Sequence, residues 1–313
     1  MGKIDENELI SQLESELNGD AGHDIDILTQ WTEKYRGNPE TGLLNRTISH
    51  RLFNLLLEEN AELPTQIVED VIAGMEETYI EARQLISLGK YEEAVQKLQP
   101  LEDLIADLPL PEDTVWMDFN SYLDSLLYQD FFEDFIDGRE IGRHPMHPGK
   151  ILFTLGSLLI ELNRPEEAAD TLQMLLTYDP VCPKYLYEMT EAYKRTGDIQ
   201  DAAGSSLQGL SCASTNEELA RGYRNLAYCM SEAESYENAM MLNLLSLYYQ
   251  PSRHAETEIE WIQKKAGISP DDYSGEMILK RCEELNIPVG ISEEVKHNMD
   301  FLNMIMGNDN KEN

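Results

Sequence analysis

The chain has 313 residues, 42% of them apolar, enough for a substantial core, and its 59 acids against 24 bases leave a net charge of −35. A field of that sign repels phosphate backbones and anionic lipid, so nucleic-acid and membrane-surface roles are poor fits, while basic partners are favoured. Residues 1–148 hold 32 acids and 10 bases, and residues 149–313 hold 27 and 14, so the imbalance is steeper in the first half.

The start, MGKIDENELIS, has no basic segment followed by an apolar one, and Glu6 stands where N-myristoylation wants Ser or Thr. Neither a signal peptide nor N-myristoylation is expected. The longest uncharged apolar run, from Ile151 to Ile160, is half of what a bilayer requires. Cys182, Cys212, Cys229 and Cys282 are widely spaced without a CxxC pair and read as reduced, half-buried thiols, so a cytoplasmic protein is expected.

Residues 1–74 form an acidic region with helical patterns over 4–17, 26–35 and 43–59. Within 75–148, the stretch LISLGKYEEAVQKLQPLEDL at 85–104 reads as a turn followed by a helix, with Gly89 at the turn and Ala94 inside the apolar stripe. Segment 98–138 has no Lys or Arg but eleven acids, interleaved with Trp116, Phe119, Tyr122, Tyr128, Phe131, Phe132 and Phe135. Its spacing predicts one long helix over about 113–137, aromatics inward and acids solvated. The other reading is an acidic, aromatic surface for a basic partner. In Arg143-His144-Pro-Met-His147-Pro, two imidazoles three apart can chelate, but the prolines put them in a loop, which reads as a rigid turn.

Residues 149–253 repeat. Ala168, Ala202 and Ala239 each follow a turn and a polar pair, with gaps of 34 and 37 residues. Pro180 and Pro251 each stop a helix, and Asp179-Pro180 is the clearest such stop. Each unit divides into two helices: ILFTLGSLLIEL, then a helix from Pro165; KYLYEMTEAYKRT, then one from Ile199; RGYRNLAYCMSEAE, then one from Tyr236. Proline suits a first helical turn, where its missing N–H costs nothing, and Thr215 with Glu218 reads as a capping box. Periods of this length mean stacked supersecondary units. Downstream, 254–306 reads as capping helices and 307–313 as a disordered tail.

These residues resemble the tetratricopeptide repeat family. Leu152, Leu155-Gly156, Leu159, Ala168 and Pro180 match its pattern in the first unit. Leu186, Met189, Tyr193, Ala202 and Gly209 match in the second, and Tyr223, Leu226-Ala227, Met230, Ala239, Ser246 and Pro251 in the third. Leu175 and Thr190 depart from it. Gly89, Tyr91 and Ala94 fit an earlier, degenerate copy, with room for one more before residue 149. The resemblance implies an all-α right-handed superhelix, an α-solenoid with N-terminal and C-terminal capping helices. It also implies that the first helix of each unit lines a concave groove.

On that implied face fall Lys150, Phe153, Lys184, Tyr187, Arg221, Arg224, Asn225 and Tyr228. The bases can hold a peptide carboxylate or acidic side chains, Asn225 a peptide backbone, and the tyrosines flat apolar area. Glu188 and Glu191 lie beside them, so pairing between neighbouring repeats fits the same pattern. No GxSxG, GxxxxGK[ST], HExxH or Gly-rich strand-to-helix turn is present, and no strands are expected. The expected function is a non-enzymatic scaffold, with no cofactor, no metal and no catalytic residues, that binds a protein or peptide segment. A second expectation is a peptide-sensing regulator, as in bacterial members of the family. Residues 1–70 are acidic and lack a helix-turn-helix, so it would act through a protein. A hydrolase with a site near His144 and His147 has the least support.

Overall fold

A computed structural model of the chain describes residues 4–59 and 61–309. They divide into two compact units, 1–108 and 109–313. Among them no helix is long and apolar enough to cross a membrane.

The first unit contains α1 (Glu6–Glu16), α2 (Ala21–Tyr35), α3 (Gly42–Glu58), α4 (Thr65–Ser87) and α5 (Tyr91–Asp107). The predicted helices are all present. Asp5 and Asp20 cap α1 and α2, their carboxylates accepting first-turn N–H groups that have no helical partner. Leu28, Leu44, Phe53, Val71, Val95 and Leu98 are fully enclosed, each contributing roughly 1.5–3 kcal/mol by burial. Helices α4 and α5 form a hairpin whose turn uses Gly89 at φ +72°, which a side chain would strain. Ala94 is sealed against it, as its place in the pattern required.

The second unit opens differently from the sequence-based expectation. In place of one helix over 113–137 the chain forms β1 (Thr114–Met117), α6 (Tyr122–Phe131), the single turn α7 (Glu133–Ile136) and β2 (Glu140–Arg143). The strands are parallel, with Thr114 opposite Glu140 and Trp116 opposite Gly142. Three features break the long helix. Thr-Val-Trp-Met is β-branched and aromatic and favours extended backbone. Ser121 caps a new helix start by accepting the Asp124 N–H at 3.1 Å. Asp137 and Gly138, at φ +48° and +74°, turn the chain back. Gly142 is required because a Cβ there would meet Thr114 and the Trp116 ring within 3 Å. The aromatics separate accordingly. Tyr128 stacks on Phe132 and meets Phe119 at a tilt, with centroids 4.9 and 5.4 Å apart, whereas Tyr122, Phe131 and Phe135 are exposed.

Three antiparallel helix pairs follow: α8 (Pro148–Glu161) with α9 (Pro165–Tyr178), α10 (Pro183–Thr196) with α11 (Ile199–Cys212), and α12 (Asn216–Glu232) with α13 (Tyr236–Tyr249). Each pair also packs on the next, through α9 with α10 and α11 with α12, so the unit is an all-α helical repeat carrying one small sheet. Proline is the first residue of α8, α9 and α10. Thr215 accepts the Glu218 N–H at 3.2 Å while Glu218 accepts the Thr215 N–H at 3.0 Å, the capping box read from the sequence. A Cβ on Gly156 would meet Leu172 at 2.7 Å, which is why the first pair needs glycine there.

The chain closes with α14 (Arg253–Ala266), a 3-10 turn at Pro270–Asp272, α15 (Gly275–Glu284) and α16 (Glu293–Asp309). Tyr223 Oη on α12 donates to the Pro288 carbonyl at 2.9 Å and accepts the Gly290 N–H at 3.0 Å, fixing the segment before α16. From there α16 packs on α6, with Asn298 donating to Asp130 at 2.7 Å. Of the tail expected over 307–313, residues 307–309 are the end of α16 and the rest lies outside the described residues.

Candidate functional site

The first helices of the three pairs, α8, α10 and α12, lie side by side, and their shared face holds most of the residues singled out from the sequence. On α8, Phe153 and Lys150 are half-buried. Lys184, exposed at the start of α10, sets its ammonium 3.8 Å from the Phe153 ring centroid and 5.8 Å from that of Tyr185. Electrostatic attraction to the ring faces holds it there.

Further along, Arg221 of α12 pairs with Glu188 of α10 at 3.1 Å and lies over the Tyr187 ring. Lys194, which the sequence reading passed over, donates to Glu191 at 2.8 Å and to Asn225 Oδ1 at 2.7 Å, and sits 5.0 Å from the Tyr228 ring centroid. A signal for it existed: Lys194 and Tyr228 are one repeat length of 34 residues apart, as are Glu191 and Asn225. Part of the basic charge is therefore paired between neighbouring repeats. Arg195 leaves the face to donate to the Ile160 carbonyl at 2.7 Å, satisfying the end of α8.

Tyr187 is a correction. It is 1% exposed, with its ring against Gly209 and its hydroxyl against Gly222. It packs between α11 and α12 and offers no area to a ligand, because the two glycines leave a slot that only a ring from α10 fills.

Two adjacent residues on α12 carry side-chain N–H groups without a partner. Asn225 is 4% exposed; its Oδ1 is taken by Lys194, but its Nδ2 is buried without a hydrogen-bond partner. Beside it Arg224 is half-buried, and its Nη1 likewise has none. Burial, and then the positive charge of Arg221, pull the Arg224 guanidinium below its ordinary pKa, so the site disfavours the very charge it carries. An acceptor from outside, a carboxylate or a peptide carbonyl, would relieve both residues.

The histidine turn is occupied by its own structure. His144 is 1% exposed, accepts the Met146 N–H at 3.2 Å and meets Tyr178 edge-on at 5.0 Å. Burial lowers its pKa to about 4, against an opposing pull from Asp118. Asp118 accepts the Gly149 N–H at 2.9 Å and lies 3.3 Å from His147 Nδ1, so the two imidazoles do not converge on one point. The convergent group among the described residues lies elsewhere, at Asp124, Asp179 and Cys182.

No family model and no curated protein matches the chain. Among solved structures, the crystal structure of the APC/C hetero-tetramer Cut9–Hcn1 is similar at 14% identity with a TM-score of 0.36, over 96% of this chain and 60% of that one. The chain thus spans about 60% of the length of the protein it matches. The class that the helix pairs define is a helical repeat.

Proposed function

We propose that the pairs over 149–253 are repeats of the tetratricopeptide kind, and that the chain is a non-enzymatic scaffold holding a protein or peptide segment on the α8–α10–α12 face. The observation that carries this is the pair of buried, unpartnered donors, Arg224 Nη1 and Asn225 Nδ2, on adjacent residues of α12. Leaving such groups unsatisfied costs about 1–3 kcal/mol each, which an acceptor brought by a ligand recovers. Phe153 and Tyr228, half-buried on the same face, supply flat contact area.

The reading is tested with a randomised peptide pool bearing free C-terminal carboxylates and the same pool amidated, passed over the full chain. Enrichment of the free-carboxylate pool is expected. Arg224→Glu, which reverses the charge on a half-buried residue, should abolish it while helicity by circular dichroism stays unchanged. Equal enrichment on wild type and R224E overturns the assignment.

A further inference from the structure

Asp124, Asp179 and Cys182 are contributed by three different elements: the first turn of α6, the residue that ends α9, and the residue that caps α10. All three are enclosed, at 5%, 0% and 1% exposure. One ligand atom from each, two carboxylate oxygens and the Cys182 Sγ, lie within 4.8 Å of one another.

The carboxyls are steadied from outside the cluster and left open within it. Asp179 Oδ2 accepts the Asn120 N–H at 2.8 Å, and Asp124 is held by Ser121. With both carboxyls ionised, Asp124 Oδ2 and Asp179 Oδ1 are buried without a donor, and they can bond to each other only when one of them is protonated. No base stands among the groups that act on either carboxyl. Burial holds both above the ordinary carboxylate range; the Asp124 charge raises Asp179 further, whereas at Asp124 a hydrogen bond with Asp179 pulls down and Glu218 pushes up.

A buried carboxyl pair without a base is stabilised by a shared proton or by a cation. The third group decides between them. A proton between two oxygens has no use for a sulfur at the same point, whereas a borderline-soft divalent ion takes one thiolate and two carboxylates together. We propose that Asp124, Asp179 and Cys182 form a buried three-ligand site for a divalent cation of the zinc class, its fourth position completed by water, which ties α6 to the start of the repeats. Zinc bonds of about 2.0–2.2 Å to oxygen and about 2.3 Å to sulfur set ligand atoms roughly 3.3–3.7 Å apart, so the three need close by only about 1 Å. On binding, the Cys182 thiol proton leaves to solvent, as does the proton shared by the carboxyls. The carboxylates, held by Asn120 and Ser121, are then ligands oriented by outer hydrogen bonds.

The test uses the full chain, loaded with Zn²⁺ or Co²⁺, desalted and assayed for bound metal. One equivalent is expected, with a near-ultraviolet thiolate-to-cobalt charge-transfer band and a higher melting temperature in Zn²⁺. Cys182→Ser should remove the band, and Asp124→Asn should weaken binding at least about tenfold. Asp179→Asn separates the two alternatives, since an asparagine amide can donate to Asp124 where a shared proton would. Under the cation reading D179N loses the melting-temperature rise in Zn²⁺. Failure of wild type to retain metal, cobalt bound without the thiolate band, or a band that survives in folded C182S would each overturn the proposal. None of these outcomes depends on a peptide at the α12 face.

Discussion

Among the buried polar atoms of the second unit that lack partners, two sets stand together, and the two are opposite in kind. On α12 they are donors, Arg224 Nη1 and Asn225 Nδ2, and their neighbours Arg221 and Tyr228 are half-buried at the surface. Between α6 and the start of α10 they are acceptors, Asp124 Oδ2 and Asp179 Oδ1, ringed by residues almost wholly enclosed. An open, donor-rich face can wait for an acceptor carried by a large partner, because the partner needs no passage through the core. A closed, acceptor-rich cluster, out of reach of a large partner, is satisfied by a proton or a small ion. The two therefore differ in what they can take, and variants at each should move different observables.

The largest effect is expected where a residue assigned to the open face turned out to belong to the interior. Tyr187→Ala should cost about 3–5 kcal/mol of stability in chemical denaturation, the usual loss for truncating an enclosed aromatic. Tyr187→Phe should cost little or be stabilising, because the hydroxyl it deletes is buried without a partner. A Y187A protein that stays as stable as wild type would return Tyr187 to the ligand face and blur the contrast.

The same residue shows where sequence and fold part company. Spacing placed the helix pairs correctly because their determinants recur: a proline that opens a helix, an alanine or glycine where two helices meet, a stop one period later. Spacing placed Tyr187 on a helix face, but its ring is steered by Gly209 and Gly222, two residues on two other helices. The strands were hidden for another reason. Each has four residues, too few for an alternation to be visible, and the pair is joined across the whole of α6 and α7. Asp179 was legible as a helix stop, and it does end α9. Its second part, facing Asp124, depends on a partner in a segment that reads as one long helix.

His144 gives a control between the two places, a buried polar ring whose acceptor is met by the Met146 N–H. Its folded pKa is about 4 against an ordinary 6.5, because burial disfavours the imidazolium. The unfolded chain therefore binds a proton below about 6.5 that the folded chain refuses until about 4. Stability from this group is complete above 6.5 and is lost as pH falls through that window, by up to roughly 3 kcal/mol. Melting temperatures of wild type and His144→Gln from pH 7.5 to 4.5 should show the steeper acid loss in wild type. Parallel curves would mean that the turn opens to solvent.

The smallest effect sharpens the open face most. Glu188→Gln removes the partner of Arg221 in a pair that is about a third exposed on the arginine side, and such a pair contributes only about 0–1 kcal/mol. Stability should hardly change. Binding should change more, since Arg221 is then free to meet an incoming carboxylate while one repelling charge leaves the face. Affinity for peptides selected from the free-carboxylate pool is expected to rise about threefold to tenfold, as one charge-assisted bond is gained. The opposite result, weaker binding with stability unchanged, would mean that Glu188 holds Arg221 in the position a ligand uses. The internal ion pairs would then be part of the binding surface and not its competitors.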